Sequence, residues 1–407
     1  MFGLLALSLC FMLTMAVPLA REDSVESARA TLAAAANGMG SGGMGGVIAA
    51  AEVACTSDSA TVFCATKPAT IDRFYANIAS GCSCFYRCTP GRSYAYTCQS
   101  PTLFNEAQQQ SYYESWADPW AGDAASSAIA SLPSYANIIC LSFMLPDSTY
   151  HGGITFAGTG LSFSSEPAVI RAAIALLKQR RPNTKVLISV GGATYPNWSK
   201  LNATAVASFV KAFGLDGVDI DFEGEAGCTR GIGGKVSCQS DVPYTQAILK
   251  LRAVLPRPYL IATAAWSIGA YGEGAWANSM PQGANTGMLI NVLKNAGSQL
   301  DYVFVMSYDA GDANTTGYNP VEAIQAYCSY HPCNRVLGGI QIPPEAWGGA
   351  ETTVAEAEAF GLKMKQMGAG GVMMWAAFKT GPPSAQQLAQ AACRSLALGG
   401  CTSSLVE

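Results

Sequence analysis

Ten residues constrain this chain more than any others: Gly214-Leu-Asp-Gly-Val-Asp-Ile-Asp-Phe-Glu223. Asp219, Asp221 and Glu223 alternate with the apolar Ile220 and Phe222. In an extended strand, residues at spacing two share a face, so the three carboxylates point one way and the apolar side chains the other. Acids buried side by side repel one another and lose hydration unless a proton is shared. Packing alone gives no reason for such a row. A calcium loop also alternates acids, but it needs Gly and polar spacers where this segment has Val218, Ile220 and Phe222. An ion-pair row needs basic partners, and the next basic residue is Arg230. Carboxylate catalysis is the reading that remains. Asp216 has the opposite parity and is assigned to the start of the strand.

Composition narrows the chemistry further. The chain has 407 residues, half of them hydrophobic, which suits one large domain and a smaller one. A net charge of -4 argues against nucleic acid or an anionic membrane as partner. The two histidines, His151 and His331, supply a metal centre or a Ser-His-Asp triad poorly, so no metal and no cofactor are expected.

Residues 1–20 form an apolar run that reads as a signal peptide, with an uncleaved anchor as the alternative. No later stretch is apolar enough to span a bilayer, so no membrane association is expected after cleavage. Outside Cys10 there are thirteen cysteines, six of them between Cys55 and Cys98. Cys228/Cys238, Cys328/Cys333 and Cys393/Cys401 lie close in sequence, a pattern of disulfides in an oxidising compartment. Cys140, within an apolar run, reads as a buried thiol. The chain is therefore expected to be secreted and extracellular. Acceptor sequons at Asn197, Asn202 and Asn314 fit that route.

Residues 21–53 are rich in Ala and Gly and read as a linker. Gly38, Gly40 and Gly43 satisfy a GxGxxG pattern, but no strand precedes them, which excludes a dinucleotide site. Residues 54–109 form a cysteine-rich module too small for a generous core. From 110 to 400 the pattern changes. Strand-like runs at 110–116, 137–143, 185–191, 217–223, 259–264, 301–308, 335–342 and 371–377 are separated by helix-period segments. Eight such alternations predict an α/β fold, the (β/α)8 TIM barrel. The alternative, an open doubly wound sheet, lacks its phosphate-binding turn.

Active residues of such a barrel sit at the C-terminal ends of its strands. There the sequence places Tyr112 and Trp116, Ser189 with Gly191 and Gly192, the acidic row, Trp266, Met306-Ser-Tyr308-Asp309, and Trp375. Aromatic faces stack on sugar rings and carboxylates protonate glycosidic oxygens. Taken singly, Met306 is more simply a packing residue.

These motifs resemble glycoside hydrolase family 18, the chitinases and their relatives. Asp216-Gly-Val-Asp-Ile-Asp-Phe-Glu223 matches its DxxDxDxE signature, Ser189-Val-Gly-Gly192 its SxGG, and Met306-Ser-Tyr-Asp309 its MxYD. Trp375 falls where the family keeps a Trp. The resemblance implies that Glu223 is the general acid and that the substrate's 2-acetamido oxygen, not a second carboxylate, is the nucleophile. It implies that Asp221 orients that acetamide and that Asp219 shares a proton with Asp221, held by Tyr112 and Ser189. Tyr308 would donate to the acetamide oxygen, Asp309 would contact the same sugar, and Trp375 would form its floor. Many relatives have Trp where Phe222 stands. Because this ring points away from the acids, it is expected to matter little.

The short segment between the seventh and eighth strands lacks the extra α+β insertion of some relatives, which implies an open cleft and cutting within chains. The segment Cys82-Ser-Cys-Phe-Tyr-Arg-Cys88, followed by Thr-Pro-Gly-Arg-Ser-Tyr-Ala-Tyr-Thr-Cys98, resembles the peritrophin-type chitin-binding module (carbohydrate-binding module family 14). Ser111 stands where its fifth cysteine is expected, so a disulfide-stapled cap without ligand stays open beside a chitin-binding role. Phe85, Tyr86, Tyr94 and Tyr96 are the rings it would offer to sugars. The expected protein is a monomeric chitinase acting on chitin or N-acetylglucosamine-containing oligosaccharides. An endo-N-acetylglucosaminidase of glycoprotein glycans and a non-catalytic chitin lectin are the alternatives.

Overall fold

The computed structural model describes residues 6–12, 57–66, 73–76, 84–89, 92–97, 102–105, 110–113 and 120–405, apart from 225, 344–350 and 380. The chain divides into two compact units, Met1–Thr14 with Ser115–Glu407, and Met15–Glu114. In chain order the strands are β1 (Ala6–Met12), β2 (Arg73–Ala76), β3 (Cys84–Thr89), β4 (Arg92–Thr97), β5 (Thr102–Asn105), β6 (Gln110–Tyr113), β7 (Ala136–Met144), β8 (Lys185–Gly191), β9 (Gly217–Asp221), β10 (Thr229–Arg230), β11 (Val236–Ser237), β12 (Leu260–Trp266), β13 (Tyr302–Met306), β14 (Val336–Gln341) and β15 (Gly371–Trp375).

The larger unit is a closed barrel in the order β1-β15-β14-β13-β12-β9-β8-β7, with every neighbouring pair parallel. This is the TIM barrel expected from the sequence. Its strands are buried on both faces, which is why β7, β8, β12 and β13 are nearly continuous apolar runs. Ile138, Cys140, Leu187, Ala262, Phe304, Leu337 and Met373 fill the interior. The outward set, including Val218, Ile220 and Phe222, packs under the helices in a larger core. Cys140 is buried, as expected.

Helix ends carry local signals. Thr353 with Glu356 and Ser384 with Gln387 form capping boxes for Val354–Met367 and Ala385–Ser395. Gly214 closes Ala203–Phe213 at φ 66°, a left-handed geometry that only Gly adopts without strain, and so delivers the chain to β9. Asp216 anchors the start of that strand: it accepts from the Val186 amide at 2.8 Å and pairs with Lys178 at 2.6 Å. At the neighbouring strand starts, Asp301 accepts from the Ile261 amide at 2.9 Å and pairs with Arg252 at 2.6 Å. Disulfides Cys228–Cys238, Cys328–Cys333 and Cys393–Cys401 join the predicted neighbours.

The first barrel position is a correction. The sequence assigned it to 110–116, but β1 occupies it, pairing Cys10 with Trp375 and with Cys140. A barrel strand is covered on both faces and favours an unbroken apolar run. Ala6-Leu-Ser-Leu-Cys-Phe-Met12 is such a run, whereas Gln110-Ser-Tyr-Tyr113 begins with two polar residues. The latter pairs antiparallel with β5, placing Tyr112 opposite Leu103. Part of the segment read as a leader is thus a strand in this structure. Trp116 and the linker 21–53 lie outside the described residues.

The smaller unit holds helix Ser57–Cys64, the antiparallel sheet β2-β3-β4 and the β5-β6 hairpin. The Cys64–Cys88 disulfide ties the helix to β3. Tyr86, one of the rings proposed for sugar contact, is instead core: it is 3% exposed and packs on Phe63 with ring centroids 5.1 Å apart. Strand alternation turns it inward.

Candidate active site

The acidic row lies at the C-terminal end of β9, with its first two members inside the ladder. Asp219 stands in register with Ser189 and Ala262, and Asp221 with Gly191 and Ala264. The Ser189 hydroxyl donates to Asp219 Oδ2 at 2.6 Å. Asp219 and Asp221 are 1% and 5% exposed. Glu223 lies two residues beyond the last ladder pair, near the Ala193 amide.

The glycines of the SxGG segment make this approach possible. Gly191 has φ 105°, and a Cβ there would fall 2.2 Å from the Asp221 carbonyl oxygen. The Gly192 amide donates to that oxygen at 2.8 Å. A side chain at Gly191 would push apart the two strands that carry the site.

All three acids hold protons more tightly than free carboxyls. Burial raises Asp219 to about 6, opposed by bonds from the Ser189 hydroxyl and the Ala264 amide. Burial lifts Asp221 well above its ordinary value, and the charges of Glu223 and Asp219 add to the effect. Glu223 is raised to about 7, mainly by burial; the Ala193 amide opposes the rise and the Asp309 charge adds to it. A carboxyl with that affinity carries a proton near neutrality and can give it away.

Four elements bring further groups together. Tyr308, Met306 and Trp375 pack against the interior cluster at the ends of β13 and β15. Trp375 stacks on Phe143 at 5.6 Å and 25°. Asp309 sits at φ 53° just beyond β13, where it accepts from Gln341 Nε2 at 3.0 Å. A cavity of about 390 Å³ opens beside Tyr308 and Asp309, lined also by Tyr318, Asn319 and Phe360 but by none of the three acids. Met306 has the packing role that its chemistry suggests. Among the described residues, no group of three His, Cys, Asp or Glu side chains is arranged to hold a metal ion.

The sequence profile of "Glycosyl hydrolases family 18" matches residues 110–334, more than half of the chain. The chain belongs to glycosyl hydrolases family 18. The family match starts at Gln110 and so includes Tyr112 and Trp116. Residues 64–111 match the "Chitin binding Peritrophin-A domain". Chitinase 1 of Aphanocladium album is 30% identical over 204 residues, which are 41% of this chain and 42% of that protein. A chitinase of Plasmodium falciparum (isolate 3D7) is 28% identical over 210 residues, 48% of this chain and 52% of that protein. The chain thus spans about half the length of these curated relatives. Among solved structures, a GH18 chitinase from Pseudoalteromonas aurantia aligns with a TM-score of 0.47 at 25% identity, covering 64% of this chain and 93% of that one. The disulfides and the peritrophin-type domain fit an extracellular setting.

Against this family frame, the sequence did not single out Gln341, Phe143, Tyr244 or Thr263. Gln341 had a readable signal, since it is the polar end of the otherwise apolar strand Val-Leu-Gly-Gly-Ile-Gln341. Tyr244 had none. Its contacts come from a helix whose rotation the sequence pattern sets only loosely.

Proposed function

We propose that this family 18 member is a chitinase that hydrolyses β-1,4-N-acetylglucosamine linkages with retention, cutting within chains. The observation that carries this reading is the buried row Asp219–Asp221–Glu223, with Glu223 outermost and raised to about 7. Glu223 gives its proton to the glycosidic oxygen as the C–O bond breaks. The acetamide oxygen of the same sugar attacks the anomeric carbon, forming a cyclic oxazolinium. Asp221 orients the acetamide and faces the developing positive charge, while Asp219 holds Asp221 in place. Tyr308 donates to the acetamide oxygen, Asp309 contacts the same sugar, and Trp375 lies beneath its ring. Glu223, now ionised, takes a proton from water, which opens the oxazolinium from the opposite face. Incubation with N-acetyl-chitohexaose tests the reading. Accumulation of shorter, mid-sized oligomers supports it. Binding without cleavage identifies a lectin, and cleavage of high-mannose glycopeptide alone identifies an endo-N-acetylglucosaminidase.

The acid step needs protonated Glu223, so kcat/KM is expected to fall as pH rises through about 7. Asp309 contributes to that high value by repulsion. Asp309→Asn therefore moves the alkaline limb to lower pH, a shift that a pH–rate profile on chitohexaose reads directly.

We further propose that residues 1–20 are a leader removed on secretion. Removal of β1 leaves a strand position between β15 and β7, and Gln110–Trp116, where the family match begins, is the segment proposed to take it. A chain beginning at residue 21 is then expected to melt cooperatively and cleave chitohexaose. Loss of folding in that chain would make β1 a permanent part of the barrel. The peritrophin-type domain is proposed to hold the enzyme on polymer. Deleting residues 21–109 is expected to weaken retention on insoluble chitin while sparing hydrolysis of soluble oligomers.

A further inference from the structure

Phe222 lies between the two outer acids, but its ring faces the other way and is 5% exposed. It stacks with two aromatic rings. Trp198 lies 5.1 Å away at 27°, and Tyr244 lies 4.5 Å away at 12°.

Both partners are themselves fixed. The Tyr244 hydroxyl bonds to Thr263 and to the Ala264 carbonyl, and Thr263 Oγ1 donates to the Ile220 carbonyl at 2.8 Å. Trp198 is 4% exposed and sits against Gly191, where a Cβ would come within 2.5 Å of its indole. Among the described residues its Nε1 has no hydrogen-bond partner, so the contact it makes with Phe222 is through its ring face. Three neighbouring strand ends, β8, β9 and β12, are thus tied around one phenyl ring.

The position of this ring matters because the ladder stops short of Glu223. The last register pairs of β9 are at Asp221, opposite Gly191 and Ala264. Beyond them the sheet no longer fixes the backbone. The aromatic contacts of Phe222 take over that task. A displacement of ~1 Å at a reacting group costs on the order of a hundredfold in rate.

We infer that Phe222, held by Trp198 and Tyr244, is a positioning residue that aims Glu223 at the glycosidic oxygen. This rests on the hydrolase reading above. It also revises the expectation that this ring matters little because it points away from the acids.

The test is Phe222→Leu, which keeps apolar volume and removes the ring. Measured well below its melting temperature, F222L is expected to lose roughly 10- to 100-fold in kcat on chitohexaose, with KM held within about twofold. Its alkaline limb is expected at lower pH, because a loosened Glu223 gains water while Asp219, Asp221, Asp309 and Tyr244 stay in place. Phe222→Trp is expected to recover most of the lost kcat. Trp198→Leu, which breaks no hydrogen bond, is expected to give the same pattern at smaller size and serves if F222L does not fold. A leucine variant with kcat within twofold of wild type and an unmoved limb overturns the inference, whatever its melting temperature. Wild-type protein that leaves chitohexaose intact overturns the hydrolase reading and this inference with it. Cleavage by wild type with unchanged leucine variants overturns this inference alone.

Discussion

Glu223→Gln is expected to abolish hydrolysis of chitohexaose while leaving oligomer binding measurable. The amide keeps the side chain's shape but has no proton of suitable acidity to give. Loss of a positioned general acid costs ~10²- to 10⁴-fold, and here the same group also serves as base in the second half-reaction. The variant should also be more stable than wild type, with a defined pH signature. Glu223 is raised from 4.5 to about 7 on folding, so the native state binds the extra proton between those values. Stability from this group is full below 4.5 and declines as pH rises through about 7. Gln removes that decline. Melting curves of E223Q and wild type should therefore separate by a few degrees, of order 3–5 °C, at pH 8 and nearly coincide at pH 4. Loss of binding together with activity would count against the acid role and point to a damaged cleft.

Asp221→Asn is the second large effect. Asp221 is buried, and among the described residues its Oδ1 has no hydrogen-bond partner. In the proposed reaction that carboxyl meets the acetamide and the positive charge that develops on it. An amide can still contact the acetamide but cannot become an anion as the charge forms. Removing one such electrostatic partner from a dry site costs ~10²- to 10³-fold in kcat. The rise of Glu223 comes from burial and the Asp309 charge, so D221N should leave the alkaline limb of whatever activity remains near its wild-type position. A fall in kcat with KM little changed fits this role. A rise in KM with kcat intact would make Asp221 a ground-state binding residue instead.

Much of this was readable before the fold was known, for reasons that differ by residue. The acidic row was legible because spacing two has a single meaning in a strand and because apolar residues separate the acids. Seven of the eight expected barrel strands follow from buried runs punctuated by helix signals such as the Thr353 and Ser384 capping boxes. The eighth exposed a limit. An apolar run at 6–12 meets the needs of a barrel strand and of a leader equally well, and hydrophobicity alone does not separate them. Tyr86 shows a second limit. A ring in a small sheet is a core residue or a ligand platform according to which face the register assigns it. The aromatic contacts of Phe222 were illegible because Trp198 and Tyr244 meet it only through tertiary packing.

In the proposed reaction the row contains no nucleophile because the substrate brings its own. The most direct test compares fully N-acetylated chitohexaose with the fully deacetylated hexamer, following the anomer first released by NMR. The acetylated hexamer is expected to be cleaved with the β-anomer formed first, and the deacetylated one to stay intact. Comparable hydrolysis of both hexamers, or first release of the α-anomer, would contradict this reaction.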